Sequence, residues 1–379
     1  MTSTGDAQLG GDPSDPGAFE RLGSVGIVGA GLIGASIGMA LRAAGVDVLL
    51  RDSDPEQARL AAARRAGRVW PEGERVSHAV IAVPPHAVAG VLRDLQKSDA
   101  ADTISDVASV KAQVVTEALA LGCDLATFCP AHPIAGRERA GAMSAQGDLF
   151  RDRTWALCPV ADTEQAAIAA ATAVAHQCGA SVVRLDAGRH DELMAQLSHL
   201  PQVVASALAA EAAGGLLDGE LALAGAGLRD TTRLADSDAG LWASILEGNR
   251  TPVADRIDSL VAALSALSTT LRGGSADDVS GAVSALLGAG AQGRRRIPAK
   301  VGQPTPDWSW VGVTVTDQPG ELTRLFVAIG GWGINVEDVR VEHSHEEQRG
   351  EVELAVRQPT AESLTQLLRE AGWRAYQRE

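Results

Sequence analysis

Val25-Gly-Ile-Val-Gly-Ala-Gly-Leu-Ile-Gly-Ala-Ser36 decides the fold. Val25 to Val28 read as a short buried strand, and a helical pattern runs from Leu32 to Ala44. Between them Gly29, Gly31 and Gly34 match G-x-G-x-x-G. The first glycine permits a tight turn, the second lets backbone approach a pyrophosphate, and the third lets helix and strand pack closely. The helix start at Leu32 and Ile33 then offers free N–H groups and the positive end of a dipole to phosphates. A second strand, Val46 to Leu50, leads to Asp52, which lies 18 positions beyond Gly34. That is near the ~20 at which an acidic residue meets the adenosine ribose. A carboxylate there accepts from both ribose hydroxyls and repels a 2′-phosphate, favouring NAD, while Arg51 and Arg59 leave NADP open.

Outward from this turn the strand–helix alternation continues. His78 to Val83 is apolar and stops at Pro84-Pro85, so Val83 and Pro84 belong at the crevice where such sheets bind ligands. Thr103-Ile-Ser-Asp-Val-Ala-Ser-Val-Lys111 repeats the pattern, with Asp106, Ser109 and Lys111 at a strand-to-helix junction; Ser109 also suits a helix N-cap. Phe128 to Pro130 ends a further strand and delivers His132, a loop imidazole stiffened by Pro130 and Pro133. Its ordinary pKa lies near neutrality, so it can accept a proton at cellular pH. Trp155 to Pro159 and Ser181 to Leu185 are expected to join the same doubly wound sheet around an Ala-rich helix.

From Gly188 the character changes to long helical patterns up to about residue 291. Leu193, Leu197, Leu200, Val204 and Leu208 form one apolar stripe, which Pro201 should kink. Arg229 and Arg233 lie four apart, on one face if that segment is helical. An all-helical block after a nucleotide-binding domain suits dimerisation and closure over a substrate. Residues 292–307 read as a Gly- and Pro-containing linker beginning near Arg294-Arg295-Arg296. The last segment, 308–379, orders as βαββαβ, a ferredoxin-like split βαβ module, with turns at Asp317-Gln-Pro-Gly and Gly333-Ile-Asn. The division is therefore a disordered leader 1–22, a Rossmann-type α/β domain 23–187, a helical domain 188–291, the linker, and the ferredoxin-like unit.

The chain has 379 residues and a formal net charge of −15, which argues against nucleic acid or an anionic membrane as its partner. The four cysteines show no metal-ligand spacing and no secreted disulfide framework, so a reduced, cytoplasmic setting and no metal site are expected. No apolar run is long enough to span a bilayer, and the start of the chain lacks a secretory pattern.

Taken together, the glycine turn, Asp106-Val-Ala-Ser-Val-Lys, His132-Pro-Ile-Ala-Gly-Arg-Glu138, Ser198-His-Leu-Pro and Asp230-Thr-Thr-Arg resemble the prephenate/arogenate dehydrogenase family of tyrosine biosynthesis. The likeness covers about residues 23 to 271, and the final unit resembles an ACT domain. The resemblance implies NAD-dependent oxidative decarboxylation of a small cyclohexadiene. It implies that His132 accepts the 4-hydroxyl hydrogen bond and that Ser109 contacts the same hydroxyl or the nicotinamide. Arg233 would grip a substrate carboxylate, with His199 and Glu138 shaping the pocket. It further implies a homodimer and a tyrosine effector at the ACT domain. Many prephenate-using members read Ser-His-Leu-Pro-His, whereas this chain has Gln202. An amide there could replace a contact to the prephenate keto acid or face the amino group of arogenate.

Two other readings are weighed. A pure NAD and amino-acid sensor would keep His132, Ser109 and Arg233 without chemistry. A β-hydroxyacid-type dehydrogenase would use a lysine on the helical domain, yet no lysine occurs between Lys111 and Lys300.

Overall fold

The computed structural model describes residues 22–135, 141–298, 308–344 and 349–378. Short strands buried on both faces alternate with helices in the first half: β1 (Ser24–Val28), α1 (Leu32–Ala43), β2 (Asp47–Arg51), α2 (Pro55–Ala63), β3 (Arg68–Val69), β4 (Val76–Ile81), α3 (Pro85–Lys97), β5 (Ala101–Asp106), α4 (Ala112–Ala120) and β6 (Phe128–Cys129). The six strands pair in parallel in the order β3-β2-β1-β4-β5-β6. Such strands need apolar residues on both sides, and Val25, Ile27, Leu49, Leu50, Val80 and Ile81 are fully buried. The strand order reverses between β1 and β4, and the carboxyl ends there open the crevice that binds ligands in this fold.

The doubly wound sheet ends earlier than the sequence suggests. β7 (Ala131–Pro133), β8 (Thr154–Leu157) and β9 (Ser181–Arg184) form a separate three-stranded sheet, with β7 antiparallel to β8, and α5 (Gln165–Gln177) lies between β8 and β9 in the chain. The break falls at Pro130, which has no N–H for a ladder. The next amide, Ala131 N, donates instead to Asp106 Oδ1 at 2.9 Å. His132 thus sits in an edge strand rather than a loop, and an edge is where Pro133 is tolerated.

The helical segment follows as α6 (Ala187–Met194), a π-helical turn (Ala195–His199), α7 (Leu200–Ala213), α8 (Asp218–Leu221), α9 (Ala226–Thr232), a 3₁₀ turn (Arg233–Ala235), α10 (Ala239–Gly248), α11 (Arg250–Gly273) and α12 (Ala276–Arg296). The expected kink at Pro201 appears one turn earlier, as the π turn. Proline cannot donate back along the helix, and its ring crowds the preceding turn, so the irregularity accumulates there. α12 continues past residue 291, so residues 292–296 are helical rather than linker. Residues 299–307 of that linker and residues 1–21 of the leader lie outside the described residues. Leu22, at the leader's end, packs against the first core.

The chain divides into two compact units, Met1–Ala282 and Val283–Glu379. The α/β segment and the helical segment up to Ala282 therefore share one unit, and the boundary falls within α12. The second contains β10 (Trp308–Thr316), α13 (Glu321–Gly331), β11 (Asp338–Ser344), β12 (Arg349–Arg357), α14 (Gln358–Glu370) and β13 (Arg374–Arg378). Its antiparallel sheet has the order β11-β12-β10-β13. Val311, Val313, Val352 and Leu354 alternate along two strands to meet Leu325, Ile329, Leu364 and Leu368 in one core.

Candidate active site

The three glycines of the first turn have separable duties. Gly29 adopts φ +102°, and a Cβ on it would lie 2.2 Å from the Ala82 carbonyl oxygen. A Cβ on Gly34 would lie 1.9 Å from the Gly29 oxygen. At Gly31 an added Cβ meets nothing within 4 Å. The first and third glycines therefore serve the protein's own packing, and the second leaves room for an incoming group. α1 begins without a side-chain cap and without an acidic residue in its first turn, so Leu32 and Ile33 offer uncapped backbone donors. Asp52 Oδ2 accepts from Ala30 N at 2.7 Å, tying the end of β2 to the glycine turn. Arg51 stacks on Trp70 at 4.7 Å, and Arg59 pairs with Glu56, so both candidate 2′-phosphate ligands have other partners. Val83 packs close to Gly29, and Pro84 is exposed at the start of α3. A dinucleotide fits this cradle, with open space and free donors for its phosphates and a nearby carboxylate for a ribose.

His132 is held from both sides. Lys111 and Asp106 form an ion pair with neither side chain exposed. Asp106 accepts from Ala131 N, and Lys111 Nζ donates to Ala131 O at 2.7 Å. Both backbone groups of the residue before His132 are thus fixed to the end of β5 and the start of α4. On the other side His132 Nδ1 lies 2.9 Å from His190 Nε2, and His190 Nδ1 lies 2.8 Å from Asp191 Oδ1. Asp191 accepts from Lys111 N and Ala112 N, each at 2.8 Å, at the N-terminus of α4. Burial pushes the His132 imidazole well below its ordinary pKa, and His190, Lys111 and His199 add to the effect. That direction favours the neutral imidazole over the cation. Burial likewise pushes the Cys129 and Cys158 thiols up to about 12, so neither supplies a thiolate.

Asn249 extends the cluster. Its amide nitrogen donates to Asp191 O at 2.7 Å and lies 3.1 Å from His199 Nδ1. His199 sits in the π turn, edge-on to Trp242 at 6.0 Å, and burial pushes its pKa down to about 4. Gln202, one turn further, is buried and donates to Leu234 O at 2.7 Å, while Ser237 Oγ lies 3.4 Å from its carbonyl oxygen. The amide thus holds the turn that carries Arg233, an exposed residue at the junction of α9 and the 3₁₀ turn. Arg229 and Arg233 flank that junction rather than sharing one continuous α-helix. Ser109 is half-buried two residues before Lys111, and among the described residues its hydroxyl has no hydrogen-bond partner. Glu138 lies outside the described residues.

The structure brings His132 and His199 into one hydrogen-bonded chain and joins Gln202 to the Arg233 turn. His190, Asp191 and Asn249 are absent from the sequence-level expectations. Their periodicity is that of ordinary polar helix positions, and nothing local marks them as buried. Lys111 was legible only as a junction residue.

The nucleotide-binding domain model of prephenate dehydrogenase matches residues 37–184, and the dimerization domain model of the same enzyme matches residues 186–284. The probable prephenate dehydrogenase NovF of Streptomyces niveus is 37% identical over 356 residues, covering 92% of this chain and 98% of that protein. Prephenate dehydrogenase of Lactococcus lactis subsp. cremoris is 27% identical, covering 87% and 92% respectively. The fold is shared with the crystal structure of prephenate dehydrogenase from A. aeolicus in complex with hydroxyphenyl propionate and NAD+, at a TM-score of 0.65 and 23% identity, over 72% of this chain and 98% of that one. With an uncapped glycine turn, a half-buried imidazole and matches that run through both domains, the chain belongs to the prephenate dehydrogenase family.

Proposed function

We propose that this protein is an NAD-dependent prephenate dehydrogenase, converting prephenate to 4-hydroxyphenylpyruvate and carbon dioxide. The observation that carries the reading is His132, a neutral imidazole whose strand is clamped by the Lys111–Asp106 pair at the carboxyl end of the parallel sheet. The glycine turn from Gly29 to Gly34, Leu32, Ile33, Asp52, Val83 and Pro84 would hold the dinucleotide. When bound, NAD supplies the acceptor for the hydride leaving C4 of the substrate. His132 takes the 4-hydroxyl proton as C4 becomes carbonyl-like, and the ring carboxylate departs as carbon dioxide while the ring aromatises. Ser109, with its unengaged hydroxyl, orients the same oxygen. Arg233 grips a substrate carboxylate, since a guanidinium binds carboxylate in a bidentate fashion. His199 lines the pocket. The hydrogen bonds of Gln202 favour a role in holding the Arg233 turn over direct contact with a substrate amino group, which supports prephenate over arogenate.

We further assign residues 23–187 to nucleotide binding, 188–291 to dimerisation and substrate closure, and 308–379 to an ACT domain. The βαββαβ order and the strand order β11-β12-β10-β13 support the last assignment. Exposed Val261, Leu264 and Leu271 on α11 support a homodimer through the helical block. Tyrosine is the candidate effector at the ACT domain. Four free, buried cysteines suit a reducing cytoplasm.

The test is NADH or NADPH formation with prephenate and arogenate offered separately, each with NAD and NADP. Turnover of prephenate with NAD is expected. Turnover of arogenate alone would move the substrate assignment, and no turnover of either would overturn the reading. Removal of residues 300–379 is expected to leave turnover and abolish its response to tyrosine.

A further inference from the structure

We propose that His190 and Asp191 are positioning residues that fix the tautomer of His132 and balance the charge it acquires on taking a proton; this rests on the reading of His132 as the base.

With His190 neutral, the chain of donors and acceptors has one order. Asp191 is almost wholly buried, and its two oxygens accept backbone N–H groups from Lys111 and Ala112. Those contacts, at the positive end of α4, hold it as a carboxylate. A carboxylate only accepts, so the 2.8 Å contact from His190 Nδ1 to Asp191 Oδ1 puts the hydrogen on His190 Nδ1. A neutral His190 then presents a lone pair at Nε2. The 2.9 Å contact makes His132 Nδ1 the donor to it. The remaining nitrogen, His132 Nε2, is left bare. An imidazole free of these partners can carry its hydrogen on either nitrogen, and the wrong choice would leave no acceptor for a substrate hydroxyl.

The same chain serves the protonated state. As the substrate O–H bond breaks and the His132 Nε2–H bond forms, the imidazolium keeps its Nδ1–H on His190, which keeps its own Nδ1–H on Asp191. Nothing else moves, and no further reactant is needed. Among the described residues, the charged and titratable groups around His132 are His190 and Asp191 from α6, Lys111 and Asp106 from the β5–α4 junction, and His199 from the π turn. Lys111 is matched by Asp106, so Asp191 is the carboxylate in line to compensate the new cation. It also caps the helix that follows Ser109, and so sets base and hydroxyl in register.

The experiment compares His190→Leu, His190→Gln, His132→Asn and the His132→Asn/His190→Leu double variant in the full-length chain. His190→Leu is expected to lower kcat by ~10²-fold with the KM for NAD unchanged, within the usual range of acid–base help. His190→Gln is expected to recover about tenfold of that loss, because its amide oxygen can accept the His132 Nδ1 hydrogen. The double variant should be no slower than His132→Asn, since His190 acts through His132. Multiplicative losses in the double variant, or a His190→Gln enzyme no faster than His190→Leu, would overturn the proposal. Nitrogen-15 NMR of the free protein tests the tautomer without any turnover. His132 should show a protonated Nδ1 and a bare Nε2, and the opposite pattern defeats the proposal even if prephenate is a substrate. Correct tautomers in a protein that turns over neither substrate would count against the assigned reaction and not against the tautomer chain.

Discussion

Substitution of Gly31 by alanine separates ligand binding from folding within a single turn. Gly31 has φ −72° and ψ −160°, an extended conformation open to any residue, and an added Cβ meets nothing within 4 Å. The folded state should accept the methyl without strain. Removing glycine's freedom from the unfolded chain should stabilise by about 0.4–1 kcal/mol, a rise in Tm of roughly 2–4 °C at most for a unit of this size. The methyl occupies the space through which backbone and pyrophosphate approach. Loss of one charge-assisted hydrogen bond costs about 1.5–3 kcal/mol, which is roughly a 10- to 100-fold weaker Kd for NAD. Gly34→Ala is the paired control. Its Cβ would lie 1.9 Å from the Gly29 carbonyl oxygen, so β1 and α1 must separate. Overpacking of this kind costs about 1–3 kcal/mol or more, and Tm should fall. The assays are thermal unfolding without ligand and calorimetric titration with NAD. Wild-type NAD affinity in Gly31→Ala, or a Tm as low as that of Gly34→Ala, would refute the division of labour.

Asp106→Asn leaves the Lys111 ammonium buried without its counter-charge, and should destabilise by about 3–5 kcal/mol in urea unfolding at neutral pH; a loss under 1 kcal/mol would mean that the pair is not buried in solution. His78 is fully buried between Thr103 and Ser105, and burial pushes its pKa down to about 3. The unfolded chain binds that proton near pH 6.5 and the folded one does not, so stability is complete above about pH 6.5 and drains as the pH falls towards 3. The linkage amounts to roughly 3 kcal/mol by pH 4 from this residue, and His199 adds to it in the same direction. His78→Gln should flatten the fall in Tm between pH 6.5 and 4; an unchanged slope would assign the acid sensitivity elsewhere. Gln202→Ala should loosen the Arg233 turn and raise the KM for prephenate several-fold with the KM for NAD unchanged; equal changes in both would show that the amide supports the fold at large.

The sequence by itself determined the features written as demands on a single backbone position. Gly29 needs a left-handed φ, Gly34 needs the absence of a Cβ, and Pro130 and Pro133 restrict the chain beside His132. Such demands are local, so residue type and spacing disclose them, and with them the parallel sheet and the βαββαβ order of the last unit. Only the tertiary structure decided which polar groups were withdrawn from water and with whom. His190 is 58 positions from His132, and Asp191 is 80 from the amide of Lys111 that it receives. The transfer of β7, β8 and β9 to a second sheet likewise depends on Ala131 finding Asp106 in place of a neighbouring strand. An aspartate that caps a distant helix and one that faces solvent have the same local pattern; they differ in the energy of burial, which exists only once the chain has packed.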